Sequence, residues 1–245
     1  MQRYKGIVAY DGSGFSGYQI QLNGRTVQEE LEKALRKMHK GNAVSVVASG
    51  RTDAGVHAKG QVIHFDSALQ LPSERWVNAL NGLLPGDVSV MKVVSVAPGF
   101  HARFDATGKM YKYVVYTGSV RDPFKRHYAA FHPFKIDIDK LRKAAELLVG
   151  THDYTSFCSA KTNKENKVRT VSSIEIEQNA DEIVFTFTGN GFLYNMVRIM
   201  VGTLLGVASG KIELNSIPAI LAGRDRILAG KTAPAEGLYL WEVYY

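Results

Sequence analysis

The chain has 245 residues and a formal charge of +7, from 30 Lys and Arg against 23 Asp and Glu. That length allows one large domain or two of about 120 residues, and either buries a core without staples. Its 45% hydrophobic and 22% charged residues are ordinary for a soluble globular protein, and its one cysteine, Cys158, excludes a disulfide scaffold or a cysteine-based zinc site.

The opening MQRYKGIVAYDGSG has no apolar core of the kind a signal peptide needs. With the lone cysteine it points to a reducing, cytoplasmic setting. Gln2 to Tyr10, rich in Tyr, Ile and Val, predicts a strand, and the Gly/Ser-rich Asp11 to Gly17 a loop. Thr26-Val27-Gln28-Glu29 has the form of a capping box, and Val27, Leu31, Ala34, Leu35 and Met38 recur at helical spacing up to the stop at Gly41. Val44 to Ala48 is a β-branched run, Gly50 to Gly60 a loop with glycines, and Gln61 to Asp66 a short strand. Ser73 to Asn81 follows Pro72 as a helix stopped by Gly82, and Val88 to Val96 is a further strand. The order β-α-β-β-α-β closes an antiparallel sheet with both helices on one face.

The second half repeats that order. Lys109 to Tyr116 is a strand, and Asp137 or Asp139 caps a helix through Leu148 ended by Gly150. Val171 to Gln178 and Glu182 to Thr188 form a hairpin turning at Asn179-Ala180-Asp181. Phe192 to Ala208 predicts a long helix, too short and too interrupted by Asn195 and Arg198 for a membrane span of about 20 residues. Ser216 to Ala222 is a shorter helix and Leu238 to Tyr244 a last strand. The expected architecture is α+β, in two related halves, 1–104 and 105–245, joined near Pro98 to Thr107. Residues 1–105 carry a net +3 and residues 106–245 a net +4, so charge is spread over a folded surface and not held in a tail.

Several patterns could carry chemistry. Gly50-Arg51-Thr52-Asp53-Ala54-Gly55-Val56-His57 places one carboxylate two residues from an arginine in a glycine-flanked loop. It reads either as a turn in which Asp53 bonds its own backbone, or as a nucleophile or base held ionised by a nearby cation. Arg198 sits in an apolar helix, on one stripe with Asn195 and Gly202. It either snorkels to water or pairs with a carboxylate, Asp53 being the candidate, which would put a site in a cleft between the halves. Lys109, Tyr111 and Tyr113 share one strand face and suit either a core or base stacking beside a phosphate. Arg121, Lys125 and Arg126 in one loop, and Lys161, Lys164, Lys167 and Arg169 in another, are a solvated surface or a nucleic-acid backbone footprint. The glycines from Gly202 to Gly210 miss P-loop spacing, the seven histidines make no metal pattern, and Cys158 has no catalytic context. No cofactor or metal is expected.

The motifs, in order along nearly the whole chain, resemble the tRNA pseudouridine synthase A family. The resemblance rests on Tyr10 to Gln19, Arg25 to Gln28, Gly50 to Ala58, His101 to Ala106 with Lys109 to Tyr113, Gly191 to Arg198, and Thr232 to Leu238. It implies two ferredoxin-like βαββαβ halves sharing one continuous, mostly antiparallel sheet with an active cleft between them, and a homodimer. It also implies pseudouridine formation at uridines 38 to 40 in the anticodon arm of tRNA. Asp53 matches the catalytic aspartate, Arg51 the arginine that displaces the target base, Tyr111 the tyrosine that stacks on the uracil, and Arg198 the basic partner of the aspartate. Tyr18 stands where the family usually has tryptophan and Asn195 where histidine is frequent, departures expected to affect only local packing. A non-catalytic two-lobed RNA-binding protein is the alternative that the charge and the tyrosines also fit.

Overall fold

Alternating β-branched and aromatic residues build the strands of this protein, and apolar stripes at helical spacing fix its helices to them. The computed structural model describes residues 1–162 and 165–245. The chain forms two compact units, Met1–Thr107 with Tyr239–Tyr245, and Gly108–Leu238. The first is built from β1 (Gln2–Tyr10), α1 (Val27–Met38), β2 (Val47–Ala48), β3 (His57–Ser67), α2 (Ser73–Asn81) and β4 (Val88–Val96). The second holds β5 (Gly108–Thr117), β6 (Ala130–His132), α3 (Ile138–Glu146), β7 (Gly150–Asp153), β8 (Val168–Asn179), β9 (Glu182–Gly189), α4 (Met196–Ala208) and α5 (Ile217–Gly223). A last strand, β10 (Leu238–Tyr244), completes the first unit.

In the first unit the strand order is β4-β1-β3-β10, with β2 against β3. Its pairings are antiparallel except β10 on β3, where Tyr239 faces His57 and Leu240 faces Ala58. Tyr4, Val8 and Tyr10 alternate onto the buried face of β1. Trp76 of α2 is wholly buried against that face, its ring 5.1 Å from Tyr4 and 5.3 Å from Phe65. In the second unit the order is β5-β9-β8-β7, with β6 parallel to β5. Tyr113 pairs with Phe185 and Tyr111 with Phe187 across β5 and β9, and Tyr113, Phe185 and Phe187 are core. Helix α4 buries Ile199, Met200, Val201, Leu204 and Val207.

The described residues thus form a mixed α/β protein with mostly antiparallel sheet. Asp137, not Asp139, caps α3, accepting from the Lys140 amide. Three readings of the sequence need correction. The strand read as Gln61 to Asp66 begins at His57, because bonding to β1 and β10 carries it into the glycine-rich segment. Thr26 does not cap α1 with its side chain: its hydroxyl is buried without a hydrogen-bond partner. Instead the Val27 and Gln28 amides donate to the carbonyls of Gly17 and Tyr18, so the preceding loop satisfies the helix start. Helix α4 starts at Met196 and not Phe192, since Gly191 (φ +156°) and Asn195 (φ +60°) are left-handed. Arg198 therefore lies in the first turn of α4. No described helix is long and apolar enough to cross a membrane.

Candidate active site

The segment Ser49–Val56 connects β2 to β3, and its position follows from what is packed beneath it. Gln61 is fully buried on β3, an inward polar residue among Val62, Ile63 and Phe65. Its amide donates to the Gly50 carbonyl (2.9 Å) and its carbonyl accepts from the Ser49 hydroxyl (2.8 Å). The same amide lies 3.4 Å from the Tyr10 hydroxyl, which bonds the Thr52 hydroxyl at 2.8 Å. Burial outweighs these bonds and pushes the Tyr10 phenol up to about 12, so it stays neutral. The residues on both sides of Arg51 are therefore tied to the core by side chains that sequence reasoning did not single out. The available signal was Gln61 itself, a polar side chain at a core position of a strand.

The first loop clamps the same segment from the other side. The Tyr18 amide donates to the Thr52 carbonyl (3.0 Å), while the Tyr18 carbonyl accepts from Gln28 at the head of α1. Gly17 has φ +104°, and a Cβ there would lie 3.0 Å from the Thr52 carbonyl oxygen. Gly12 approaches even more closely: its Cβ would sit 2.1 Å from the Val56 carbonyl oxygen. Arg25 fastens this loop through two bonds to Asp87 (2.6 and 2.9 Å) and lies 4.2 Å above the Phe15 ring.

On this support Arg51 is exposed and Asp53 half-buried, with the Asp53 carbonyl accepting from the Val56 amide. That bond uses the main-chain oxygen of Asp53 and not its carboxylate. His57 is buried, its Nδ1 taking the Gly12 amide hydrogen at 3.0 Å and its ring stacked 4.6 Å from Tyr239. The Asp11 carboxylate lies 3.2 Å from the same ring nitrogen. His57 is a structural support of the loop.

In the second unit, Tyr111 is half-buried on β5, edge-on to Phe192 at 5.2 Å. Tyr113, two residues on, is core: its hydroxyl donates to Pro234 and burial raises its pKa far above the usual phenol range. Arg198 is half-buried; its Nε donates to the Ala233 carbonyl (2.7 Å) and its Nη1 to Asn195 Oδ1 (3.0 Å). The Ala233 amide returns a bond to the Arg198 carbonyl. Asn195 therefore contacts a candidate residue, which its expected role in packing alone did not foresee. Gly202 lets the 230–233 segment reach α4, since a Cβ there would be 1.7 Å from the Lys231 carbonyl oxygen. Tyr18, the other departure, is buried with its hydroxyl unpartnered.

The basic loops differ from one another. Arg121 and Arg126 are exposed, but Lys125 is held by Asp181 (2.8 Å) and Glu182 (2.9 Å), which raise its pKa. Lys161 is exposed, Lys167 half-buried, and Arg169 bonds the Val168 and Asn166 carbonyls. Lys164 lies outside the described residues.

A family model described as tRNA pseudouridine synthase matches residues 7–105 and 144–245. The chain is 57% identical over 244 residues to a tRNA pseudouridine synthase A of Geobacillus kaustophilus, covering all of this chain and 95% of that protein. It is 56% identical over 245 residues to tRNA pseudouridine synthase A 1 of Bacillus cereus, covering 100% and 99%. It is 55% identical over 247 residues to the tRNA pseudouridine synthase A of Listeria monocytogenes, covering 100% of both. A carboxylate on a clamped loop and a match along the whole length place the chain in one class: it belongs to the tRNA pseudouridine synthase family.

Proposed function

We propose that the protein isomerises uridine to pseudouridine at positions 38, 39 and 40 in the anticodon arm of tRNA, by a cofactor-free reaction that depends on Asp53. The observation that carries this reading is the full-length identity with relatives named tRNA pseudouridine synthase A. The N1–C1′ bond breaks, the uracil turns, C5 joins C1′, and the hydrogen leaving C5 is balanced by one gained at N1. The target base must first leave its stack, at a cost of a few kcal/mol. In this proposal Arg51, exposed beside the carboxylate, takes the vacated place and Tyr111 stacks on the uracil. Asp53 acts as the nucleophile or base, and Arg198 keeps it ionised and oriented. Two hydrogen bonds holding the Arg198 side chain to Ala233 and Asn195 support a fixed rather than a floating guanidinium.

The proposal extends to the rest of the molecule. Arg121, Arg126, Lys161, Lys164, Lys167 and Arg169 contact the tRNA backbone, and Lys125, already paired with two carboxylates, does so least. The halves 1–104 and 105–245 are each ferredoxin-like, a reading supported in the first by the order β4-β1-β3 with β2 on β3. The enzyme works as a cytoplasmic homodimer.

The test is incubation of the purified protein with unmodified tRNA, followed by mapping of pseudouridine by site. Asp53→Asn is expected to bind tRNA as the wild type does and make no product. Wild-type rates from that variant would sink the mechanism. Absence of product from the wild type, with tRNA still bound, would favour a non-catalytic binder.

A further inference from the structure

His101-Ala102-Arg103-Phe104 closes a turn in the first unit that the reaction above does not use. Hydrogen bonds fix it on every side. The Ala102 amide donates to His64 Nδ1 (3.1 Å) and the Ala102 carbonyl accepts from the Tyr245 hydroxyl (2.6 Å). The His101 amide donates to the Asp105 carboxylate (2.8 Å), and the Asp105 amide to the His101 carbonyl (3.1 Å). The Arg103 and Phe104 amides both donate to His101 Nδ1, at 3.1 and 3.2 Å. Yet Phe104, at the head of this rigid turn, is 75% exposed.

Its ring is not loose. It lies on the His101 imidazole, centroids 4.2 Å apart and 26° from parallel, with the Arg103 guanidinium 5.9 Å from its centroid. Because Nδ1 accepts two amide hydrogens, the imidazole carries its proton on Nε2, a donor not used by the turn. The result is a flat, preorganised aromatic surface edged by a cation and an N–H donor. Such a surface fits a flat ring attached to an anion better than an aliphatic partner.

We propose that the Phe104–His101 platform stacks an unpaired base of the tRNA substrate, with Arg103 against the adjoining phosphate. The inference rests on tRNA being the substrate. The experiment uses anticodon stem-loops carrying 2-aminopurine at one unpaired position at a time, mixed with the full-length protein. Wild type is expected to change the fluorescence of one position strongly on binding, and Phe104→Ala to lose that change. Phe104→Ala is also expected to raise KM about tenfold at unchanged kcat, the size of one lost stacked base. Phe104→Tyr should restore both. Because the ring is exposed, the melting temperature of Phe104→Ala should stay within 2 °C of wild type in about the way surface changes do. Turnover by the wild type, with fluorescence and KM unaltered in Phe104→Ala, would overturn the proposal. So would a change of oligomeric state in Phe104→Ala by light scattering, which would assign the ring to an interface between copies. If the wild type makes no pseudouridine, the functional reading fails, while the fluorescence arm still reports on the platform.

Discussion

Replacing Gln61 by leucine tests whether the buried network holds the Asp53 loop. The side chain is wholly buried and serves three groups: the Gly50 carbonyl, the Ser49 hydroxyl and, at longer range, the Tyr10 hydroxyl. Leucine has a similar volume, so no large cavity opens, and the loss is chiefly that of hydrogen-bond partners. Two close bonds disappear, each leaving a desolvated group at a cost of about 1–3 kcal/mol, partly offset by the transfer of an apolar side chain. The net expectation is a destabilisation of about 3 kcal/mol. For a chain of this size that is a fall in Tm of about 6–12 °C. The loop moves with it, and an ångström of displacement at Asp53 costs up to about a hundredfold in rate, so kcat should fall at least tenfold while tRNA affinity holds. Gln61→Glu gives the matching control. A buried carboxyl has a raised folded pKa, so its stability is greatest below the unfolded value of about 4.3 and is lost as pH rises through the folded one. Thermal melts from pH 5 to 8, with kcat and KM for tRNA, supply the readouts. A Gln61→Leu protein with wild-type Tm and kcat would refute the idea that this network positions the loop.

Three other outcomes follow from the same geometry. Gly202→Ala drives a Cβ to 1.7 Å from the Lys231 carbonyl oxygen, so backbone must shift; a loss of about 3 kcal/mol is expected by calorimetry, and an unchanged melt would mean the contact is absent in solution. Arg198→Met keeps the apolar stem and removes the bonds to Ala233 and Asn195; kcat should drop at least tenfold while the Kd for tRNA changes little, and the reverse split would mark Arg198 as a binding residue. Burial, then the charge of Arg3, lowers the His64 pKa below 6.5, and the neutral ring accepts from the Ala102 amide. Its stabilising contribution is full above 6.5 and is lost as pH falls from there through the folded value. His64→Gln should flatten the dependence of Tm on pH between about 7 and 5, and an equally steep curve in both proteins would exclude His64 as its source.

Structure is legible in the sequence where the partner is close along the chain, and hidden where the partner is distant. Helix α2, β4 and β10 fall at their expected bounds: Pro72 and Gly82 delimit α2, a β-branched run makes β4, and β10 follows Gly237 as alternating Leu, Tyr, Trp and Val. The apolar pattern extends α4 too far, because Phe192 and Leu193 are as apolar as a helix interior and periodicity does not register the left-handed turns at Gly191 and Asn195. Asp53 stood out by its glycines, and so did Arg198 by its charge in an apolar run. Their supports did not. Gln61 acquires meaning only when β3 pairs with β1 and brings Tyr10 to it across 51 residues. The local pattern at Thr26 predicts a side-chain cap, yet the carbonyls of Gly17 and Tyr18 take that role. That substitution links the elements of the site: the amides that α1 leaves unpaired hold the first loop, and the first loop holds Thr52. A helix start normally satisfied by its own threonine is here satisfied by the segment that positions the carboxylate. Improving the side-chain cap at residue 26 would therefore compete with the loop, and a stabilised helix would come with a looser Asp53.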